Sequence, residues 1–552
     1  MRNIEIFCEN ISKYRSYPLG TTLSEIASDL SIKLGYPVYG ALVNNKTKEL
    51  SYEIVKPKSV RFIDYTHPEG ARMYLRSLIF TLYHAVSEVF PGKKLRLEHA
   101  ISNGYYCEIE GLDREMSDED VFALKEEILT LVREDLPFER RGMETIVAVK
   151  MLNDMGLDQK ANLFEEKGNL YSYVYYLKDK VNHFFGHLVP NTGLLKLFDI
   201  ELLHDGFILR LPDVDNPKQL APFVNQEQLF AVFQEHKDWA EIHNISFVAQ
   251  LNKCTDNGTI GDVIKISEAL QERKIVEIAS KVFDEKKKIV LIAGPSSSGK
   301  TTFSKRLAVQ LAVSGLKPKM LSLDDYFVDR EKTPLDENGE YDFEVLEAID
   351  IEYFNRNLLD LLGGRKIELP RFDFKTGKRF FNGEFMEMDD DSILIIEGIH
   401  GLNPGLIPHI KKSKTFKIFI SALTQINIDE HNYIPTTDNR LVRRIIRDSK
   451  YRNYSAADTI KRWMSVRRGE NKNIFPYQEN ADEMFNSALI YELGVLKKYI
   501  EPLLKTINEN EQEYTEAVRL LKFFSNIKRI DDYEIPPTSL IREFLGGSSF
   551  QY

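Results

Sequence analysis

The stretch Ile289-Val-Leu-Ile-Ala-Gly-Pro-Ser-Ser-Ser-Gly-Lys-Thr-Thr302 decides the fold of the second half of the chain. It opens with five apolar residues, Ile289 to Ala293, whose number and β-branched content predict a buried parallel strand. The residues that follow are a glycine, four spacers and then Gly-Lys-Thr, which is the pattern of a phosphate-cradling loop between a strand and a helix. The stretch therefore predicts a nucleotide-binding unit.

The loop residues suit a nucleoside triphosphate. Backbone N–H groups of such a loop point at phosphate oxygens, and the following helix adds the positive end of its dipole. Lys300 is expected to reach the β- and γ-phosphates and the Thr301 hydroxyl to bind Mg²⁺, so ATP and Mg²⁺ are the predicted cofactors. The residues predicted to contact the nucleotide are Gly294, Pro295, Ser296, Ser297, Ser298, Gly299, Lys300, Thr301 and Thr302. A chance match in a glycine-containing turn is the alternative, which the strand and helix context disfavours.

The composition describes a globular protein of several domains. A length of 552 residues suggests roughly three or four domains, and 43% hydrophobic with 28% charged residues is typical of such chains. No run of 18 apolar residues occurs and the first residues lack a signal core, which predicts a cytoplasmic protein without membrane contact. Cys8, Cys107 and Cys254 lie far apart, which excludes a cysteine-based zinc motif. A net charge of −11 argues against wholesale nucleic-acid binding but allows local basic patches.

Strands and helices alternate after the loop, which predicts a doubly wound parallel sheet with its site at the carboxyl ends of the strands. The predicted elements are a helix from Thr301 to Ser314 and strands at Lys319 to Leu323, Ile393 to Ile396 and Phe416 to Ile420. Asp324 and Glu397 follow two of these strands. We expect Asp324 to orient the proton of an attacking hydroxyl and Glu397 to hold Mg²⁺. Capping a helix is the alternative role for Asp324, although Asp325 could also supply that cap.

Five motifs follow one another in this half of the chain. They read Ser322-Leu-Asp-Asp-Tyr-Phe327, Tyr341-Asp-Phe343, Pro370-Arg-Phe-Asp-Phe374, Glu397-Gly-Ile399 and Arg440-Leu-Val-Arg-Arg-Ile-Ile-Arg-Asp448. In this order they resemble the motifs of the uridine kinase and phosphoribulokinase family. The resemblance implies that Asp324 is the general base, Asp342 accepts from a ribose hydroxyl and Glu397 is the Mg²⁺ partner. It further implies that Arg444 contacts the substrate. Arg447 and Arg452 would belong to a mobile lid and contact the phosphates, and Arg447 would also have a catalytic role.

Charge indicates the same lid independently. From Asp438 to Lys472 there are eight Arg and three Lys against four acidic residues, a surplus of seven positive charges in a chain of −11. Such a cluster suits a triphosphate and the charge that develops during its transfer. A solvated helix face with a nucleic-acid role is the alternative.

The acceptor side departs from the family pattern. The family recognises a pyrimidine with a Tyr and a His, and this chain has Phe372 and Gly377 at those two positions. Phe327 replaces a further Tyr of the family, and Tyr454 replaces an Arg of the lid. Phe372 is therefore the residue predicted to contact the base, with a side chain that differs from the family's. Uridine is the default acceptor, and another nucleoside or a sugar phosphate stays open.

Residues 1–66 resemble a TGS domain, the ubiquitin-like module at the front of threonyl-tRNA synthetases. A β-rich start from Ile4 to Phe7, a helix from Thr22 to about Leu34, and strands near Val38 to Val43 and Val60 to Ile63 are expected. Any small β-grasp unit would give the same pattern.

Residues 67–211 resemble the editing domain of threonyl-tRNA synthetases. The matching stretches are His84 to Pro91, Ile101-Ser-Asn-Gly-Tyr-Tyr106 and Val189-Pro-Asn-Thr-Gly193. The family's catalytic histidine pair falls at Arg76 and Phe80, so we expect the deacylase activity to be lost and the fold to remain as an RNA contact or scaffold. His183 and His187 would share one face if they lay on a helix and could form half a metal site, although a core role is favoured.

The whole chain is predicted to be a multidomain α/β protein. Residues 1–66 form a TGS-like β-grasp unit, 67–211 an α+β editing-like unit, 212–284 a helical connection and 285–552 a P-loop kinase with a C-terminal extension. The predicted activity is ATP-dependent phosphorylation of a small-molecule hydroxyl, most readily a nucleoside 5′-OH. A phosphoribulokinase-type sugar or sugar-phosphate kinase and an RNA-associated regulatory ATPase are the alternatives. tRNA or a nucleotide is the candidate effector of the N-terminal half, and homo-oligomerisation stays open.

Overall fold

The computed structural model describes residues 3–335, 339, 341–373 and 375–551. Phe374, the last residue of the predicted motif at 370–374, lies outside this part of the chain. The described residues form five β-sheets. None of the helices in the described part has the length and apolar character that crossing a membrane requires.

The N-terminal sheet is a small mixed sheet with one helix. Its elements are β1 Asn3–Cys8, β2 Lys13–Pro18, α1 Leu23–Asp29, β3 Gly40–Val43, β4 Lys46–Lys48 and β5 Lys58–Ile63. The strand order is β2-β1-β5-β3-β4, and β1 and β5 run parallel. Ile6, Leu23, Ile26 and Val60 share the buried core. The arrangement agrees with the β-grasp expectation.

Helix α1 is shorter than predicted. It begins as expected, because the Thr22 side chain and Glu25 cap each other's backbone N–H groups. The prediction of a helix to about Leu34 was wrong, since the helix ends at Asp29 and Ser31 adopts a left-handed φ of 49°. The helical spacing of apolar residues in the sequence continues past Ser31, although the backbone already turns there.

The next region combines two antiparallel sheets with four helices. Its elements are α2 Pro68–Val89, β6 Lys94–Ile101, β7 Gly104–Glu110, α3 Asp118–Glu134, β8 Glu139–Glu144, α4 Thr145–Asp154, α5 Asp158–Lys167, β9 Tyr171–Leu177, β10 Lys180–Asn182, β11 Asp199–Leu203 and β12 Gly206–Arg210. The sheet orders are β10-β9-β8 and β11-β12-β7-β6. Helix α2 is buried along most of its length and is the central element of this region.

His183 and His187 do not share a helix, so the fold does not bring the two imidazoles onto one helical face. Both follow β10 in irregular backbone. One ring nitrogen of His183 lies 2.9 Å from the Tyr173 carbonyl oxygen, and Nδ1 of His187 lies 3.2 Å from a Glu49 carboxylate oxygen. Each imidazole therefore has its own protein partner, as the favoured core role requires.

The connecting region is helical, as predicted. It contains α6 Glu227–Ile242, α7 Val248–Asp256 and α8 Ile260–Asp284. Helix α8 packs against the helix that follows the nucleotide loop, because Ile275 and Ile278 share a core with Phe303 and Leu307. The connection is thus part of the C-terminal body.

The C-terminal half is built around a five-stranded, all-parallel sheet. Its elements are β13 Ile289–Ala293, α9 Lys300–Val313, β14 Lys317–Ser322, α10 Ile351–Leu362, β15 Ile367–Asp373, β16 Lys378–Met386, β17 Ser392–Glu397, β18 Thr415–Ser421, α11 Thr436–Tyr451, α12 Ala456–Asn473, β19 Glu483–Asn486, α13 Glu492–Leu504, α14 Tyr514–Phe524 and α15 Arg542–Leu545. The order β14-β17-β13-β18-β19 places β13, buried at every residue, in the centre. Strands β15 and β16 form a separate hairpin. The doubly wound expectation is confirmed.

The two halves of the chain pack tightly together. Lys160 in α5 forms a 2.8 Å ion pair with Asp429, and both side chains are fully buried. In the C-terminal half, α14 also reaches the N-terminal half, since Glu516 pairs with Arg72 of α2 at 3.0 Å. Removing one partner of a buried pair is strongly destabilising, so the buried Lys160–Asp429 pair holds the halves in one arrangement. The four predicted domains, 1–66, 67–211, 212–284 and 285–552, remain a prediction.

Candidate active site

The nucleotide loop lies between β13 and α9, at the carboxyl edge of the parallel sheet. A side chain at Gly294 would bring Cβ within 2.0 Å of the Ile420 carbonyl oxygen in β18, so only glycine fits there. Gly299 has a φ of +84°, a conformation that glycine adopts without strain. The backbone therefore requires glycine at both positions of the motif, which argues against a chance match.

Lys300 lies across the mouth of the loop. Its ammonium donates to the carbonyl oxygens of Gly294 at 2.9 Å and Pro295 at 3.1 Å. Burial lowers the pKa of Lys300, while the nearby carboxylates, Glu397 and Asp324 foremost, act in the opposite direction. A cation in this position, charged and close to the loop amides, is suited to binding phosphate oxygens.

Thr301 and Glu397 meet at the same edge. The Thr301 hydroxyl lies 3.1 Å from each carboxylate oxygen of Glu397, because β13 and β17 pair with Ile292 opposite Glu397. Burial raises the pKa of Glu397 to about 7, against the effect of Lys300. A hydroxyl and a carboxylate are the hard oxygen ligands that Mg²⁺ prefers, so this pair fits the predicted metal.

Asp324 follows β14 and faces the cleft. The cap of its short turn is supplied by Ser322, whose side chain accepts from the Asp324 amide at 3.3 Å, so the Asp324 carboxylate is not the cap. Although the side chain is exposed to the cleft, desolvation by the surrounding protein raises its pKa, opposed by Lys300, Arg452 and Arg447. Asp325 instead binds Arg371 at 3.0 Å and the Phe372 amide at 3.3 Å. Of the two neighbours, Asp324 is the one available to a substrate.

The three predicted arginine contacts converge on one buried carboxylate, Asp448. Arg447 binds it through two nitrogens at 2.9 and 2.7 Å, Arg444 lies at 3.3 Å and Arg452 at 3.7 Å. Arg444 also donates to the Ser296 hydroxyl of the nucleotide loop at 2.8 Å. Asp448 therefore positions the guanidinium groups, a role that the sequence pattern did not reveal.

Other arginines of the basic stretch serve the fold. Arg440 forms a two-point ion pair with Glu470 at 2.6 and 2.7 Å, and Arg443 pairs with Glu492; all four side chains are buried. Glu470 also accepts from the Ser296 amide at 2.8 Å. The stretch is thus not a uniform solvated face, since part of its charge locks α11 onto α12 and the loop.

Residues 289–490, which hold the loop, Asp324, Glu397 and the arginine cluster, match the model of the Phosphoribulokinase / Uridine kinase family. The C-terminal half contains a domain of this family. It is therefore a small-molecule kinase domain, and the family implies ATP as phosphoryl donor.

Relatives of the N-terminal half are threonine–tRNA ligases. The enzyme of Marinobacter nauticus is 26% identical over 188 residues, which are 34% of this chain and 29% of that protein. The enzyme of Caldanaerobacter subterraneus is 29% identical over 184 residues, 33% of this chain and 28% of that protein. The chain thus spans about three tenths of the length of these curated relatives, and the region they share is the N-terminal one.

Among solved structures, a possible uridine kinase from Bacillus stearothermophilus is 18% identical, with a TM-score of 0.27. The match covers 39% of this chain and 98% of that one.

Glu344 lies among the charges of the site, close to Glu470 and Arg444. Asp342 accepts from the Glu344 amide at 2.9 Å and so shapes the turn. Glu344 packs against Gly469 of α12, where a Cβ would come within 2.6 Å of it. Burial raises the pKa of Glu344 to about 7, helped by Glu470 and opposed first by Arg444. No sequence motif singles out Glu344, although it stands two residues after the predicted Asp342.

Phe372 lies in the apolar core of the kinase domain. Its ring is 5.6 Å from that of Phe327, and both side chains are buried. Phe327 and Phe372, two of the four departures from the family pattern, therefore pack against each other. A contact from Phe372 to the acceptor remains a prediction.

Proposed function

We propose that the chain transfers a phosphoryl group from ATP to a hydroxyl of a small molecule, most readily the 5′-OH of a nucleoside. The observation that carries this proposal is the convergence of Lys300, Thr301, Glu397 and Asp324 at one edge of the sheet. Lys300 neutralises charge on the β- and γ-phosphates. Thr301 and Glu397 would hold Mg²⁺, which would supply further positive charge to the phosphates when bound. Asp324 takes or orients the proton of the attacking hydroxyl.

The arginine cluster supports the same chemistry. Arg447 and Arg452 lie close enough to Asp324 to act on its pKa, and Asp448 holds both. In our proposal they stabilise the charge that develops on the transferred group. Arg444 touches the loop through Ser296, and in our proposal it acts on the donor side. The substrate contact that the resemblance implies for Arg444 stays a prediction.

Glu344 is the proposed acceptor of sugar hydroxyl hydrogen bonds. A carboxylate can accept from two neighbouring hydroxyls, as on a ribose, and the Asp342 carboxylate is already engaged with the backbone. Glu344→Gln is expected to raise the KM for the acceptor by about tenfold or more, since a charged hydrogen bond is replaced by a neutral one. Asp342→Asn is the matched control and should change KM little. Steady-state kinetics with the acceptor varied at saturating ATP measures the KM of both variants. A larger rise in KM for Asp342→Asn than for Glu344→Gln would return the role to Asp342.

The raised pKa of Glu344 also predicts a stability effect with a defined sign. Its folded pKa of about 7 lies above the usual value of 4.5, so the folded state binds the proton more tightly. The carboxylate therefore lowers the stability of the fold as pH rises from about 4.5 to about 7. Thermal melts of Glu344→Gln should show a higher Tm than the parent at pH 8 and none of this difference near pH 4.5. A Tm of Glu344→Gln below that of the parent at pH 8 would contradict the placement of Glu344 in a desolvated site.

Basic side chains from both halves of the chain gather around Lys522 of α14 and suit an RNA effector. Desolvation lowers the pKa of Lys522 to about 8, reinforced by the charges of Arg76, Arg140 and Lys167. These groups come from different parts of the chain, and Arg140 stacks on the Tyr173 ring at 3.9 Å. Cations interleaved with aromatic rings suit phosphate and base contacts. We propose a tRNA-like RNA as partner, with regulation of the kinase domain as its consequence.

One experiment separates the candidate activities. Purified protein with Mg²⁺ and labelled ATP is given nucleosides, sugars and sugar phosphates, each with and without tRNA. Transfer to a nucleoside supports the proposal, and transfer to a sugar phosphate alone would favour the phosphoribulokinase-type alternative. ATP hydrolysis that depends on tRNA and needs no acceptor would replace the kinase proposal with a regulatory ATPase.

A further inference from the structure

A carboxylate from the C-terminal segment, residues 539–545, lies against the nucleotide loop. This segment includes the short helix α15 and follows the region that matches the kinase family. Oε2 of Glu543 accepts a hydrogen bond from the Thr302 hydroxyl at 2.6 Å and lies 3.4 Å from the Thr302 amide nitrogen. Thr302 is in the first turn of α9 and is the last residue of the loop motif. Glu543 therefore binds where the loop should offer donors to a nucleotide.

A carboxylate and a phosphate seek the same partners at this position. Both accept from N–H and O–H groups at a helix N-terminus and gain from its positive end. Both are also anionic, so they repel each other at hydrogen-bond distances. Glu543 is one of four carboxylates, with Glu397, Asp324 and Glu470, whose charges act on Lys300. A triphosphate bound on Thr302 would meet this carboxylate directly.

The segment that carries Glu543 is firmly anchored. Leu540 and Phe544 are fully buried, and the Phe544 ring lies 5.1 Å from the Arg443 guanidinium. Arg542 donates to the carbonyl oxygens of Asp532 at 2.6 Å and Ile535 at 2.7 Å. Peeling the segment away would expose large apolar side chains to water, whereas rotating one glutamate side chain would not. The part free to move is the Glu543 side chain alone.

We propose that Glu543 competes with nucleotide phosphate for Thr302, so that its carboxylate must turn away before the phosphates bind. The inference rests on the proposed function, because it assigns Glu543 to the donor site. It makes Glu543 a residue that sets affinity for phosphorylated nucleotides and leaves the unphosphorylated nucleoside unaffected.

Calorimetric titration of the full chain tests this competition. The ligands are the non-hydrolysable ATP analogue AMP-PNP with Mg²⁺, and adenosine as the ligand without phosphates. Glu543→Gln keeps the size of the side chain and an oxygen for the Thr302 hydroxyl but removes the charge. It is expected to tighten AMP-PNP binding about tenfold and leave adenosine binding unchanged. Glu534→Gln, the same change elsewhere in the C-terminal region, should alter neither affinity.

The outcomes separate this inference from the proposed function. Unchanged or weaker AMP-PNP binding by Glu543→Gln, with a Tm like that of the parent, would overturn the competition and make Glu543 a support for Thr302. Equal tightening by Glu534→Gln would also overturn it, since a general loss of negative charge would then explain the effect. AMP-PNP binding to none of the three proteins would overturn the proposed function, and the competition with it. Glu543→Ala should tighten binding as the glutamine variant does.

Discussion

Lys300→Ala is expected to abolish phosphoryl transfer while the chain keeps its fold. In the part of the chain that the structure describes, the hydrogen bonds of the Lys300 ammonium go to the loop carbonyl oxygens of Gly294 and Pro295, so the packed core loses little. On the β- and γ-phosphates the same group supplies charge that water cannot replace in a partly enclosed site. We expect turnover to fall by about 10³-fold or more. A radiometric transfer assay measures this loss, with circular dichroism as the check on folding.

The control for this variant is a lysine of the same domain outside the site. Lys411 is exposed and lies away from the carboxyl edge of the sheet, just before β18, so Lys411→Ala should keep full activity. Several carboxylates lie near Lys300, and without the lysine their negative charge would repel the phosphates of ATP. Lys300→Ala should therefore also weaken ATP binding. Undiminished turnover by Lys300→Ala would remove the kinase proposal, whatever the acceptor.

Local sequence pattern was sufficient for the elements that form the site. The predicted strand Ile289 to Ala293 coincides with β13, and the helix predicted from Thr301 to Ser314 differs from α9 by one residue at each end. Such runs are short, apolar and bounded by glycine, so their secondary structure depends little on distant contacts. The placement of Glu397 opposite Ile292 followed from the parallel order of the strands.

The sequence could not show which charges meet. Asp448 collects three arginines because it faces inward on α11, and Glu543 reaches Thr302 over more than two hundred residues. Glu344 and Asp342 stand two residues apart, yet only the fold shows that Glu344 lies near Arg444 and Glu470 while Asp342 accepts from a backbone amide. These contacts depend on tertiary packing, which periodicity and motif spacing do not encode.

The prediction of a helix through Leu34 was wrong because the backbone turns at Ser31, which has a positive φ. The spacing of His183 and His187 would have meant a shared face only on a helix, and the backbone after Asn182, the end of β10, is irregular. His187 instead binds Glu49 of the N-terminal sheet. A side chain that bridges two regions carries no local periodic signal.

Asp324→Asn should separate acceptor chemistry from donor binding. As a hydroxyl-orienting base, the Asp324 carboxylate acts mainly in the transition state, so kcat is expected to fall by roughly 10²-fold or more while ATP affinity changes little. Asparagine keeps the size of the side chain, and the turn is capped by Ser322, so the fold should not respond. The measurement pairs steady-state kinetics with the Kd of AMP-PNP for the same variant.

Three outcomes of that pair distinguish the roles open to Asp324. Low kcat with retained affinity supports the base. A strong loss of nucleotide affinity with kcat retained would make Asp324 a metal ligand beside Glu397, and the base would then be sought at Asp325 or Asp373. Asp325 is the poorer candidate, because Arg371 and the Phe372 amide already bind it and its replacement should disturb β15 instead. Normal kinetics in Asp324→Asn would leave the site without a base, and if Lys300→Ala were also active the regulatory ATPase would become the better proposal.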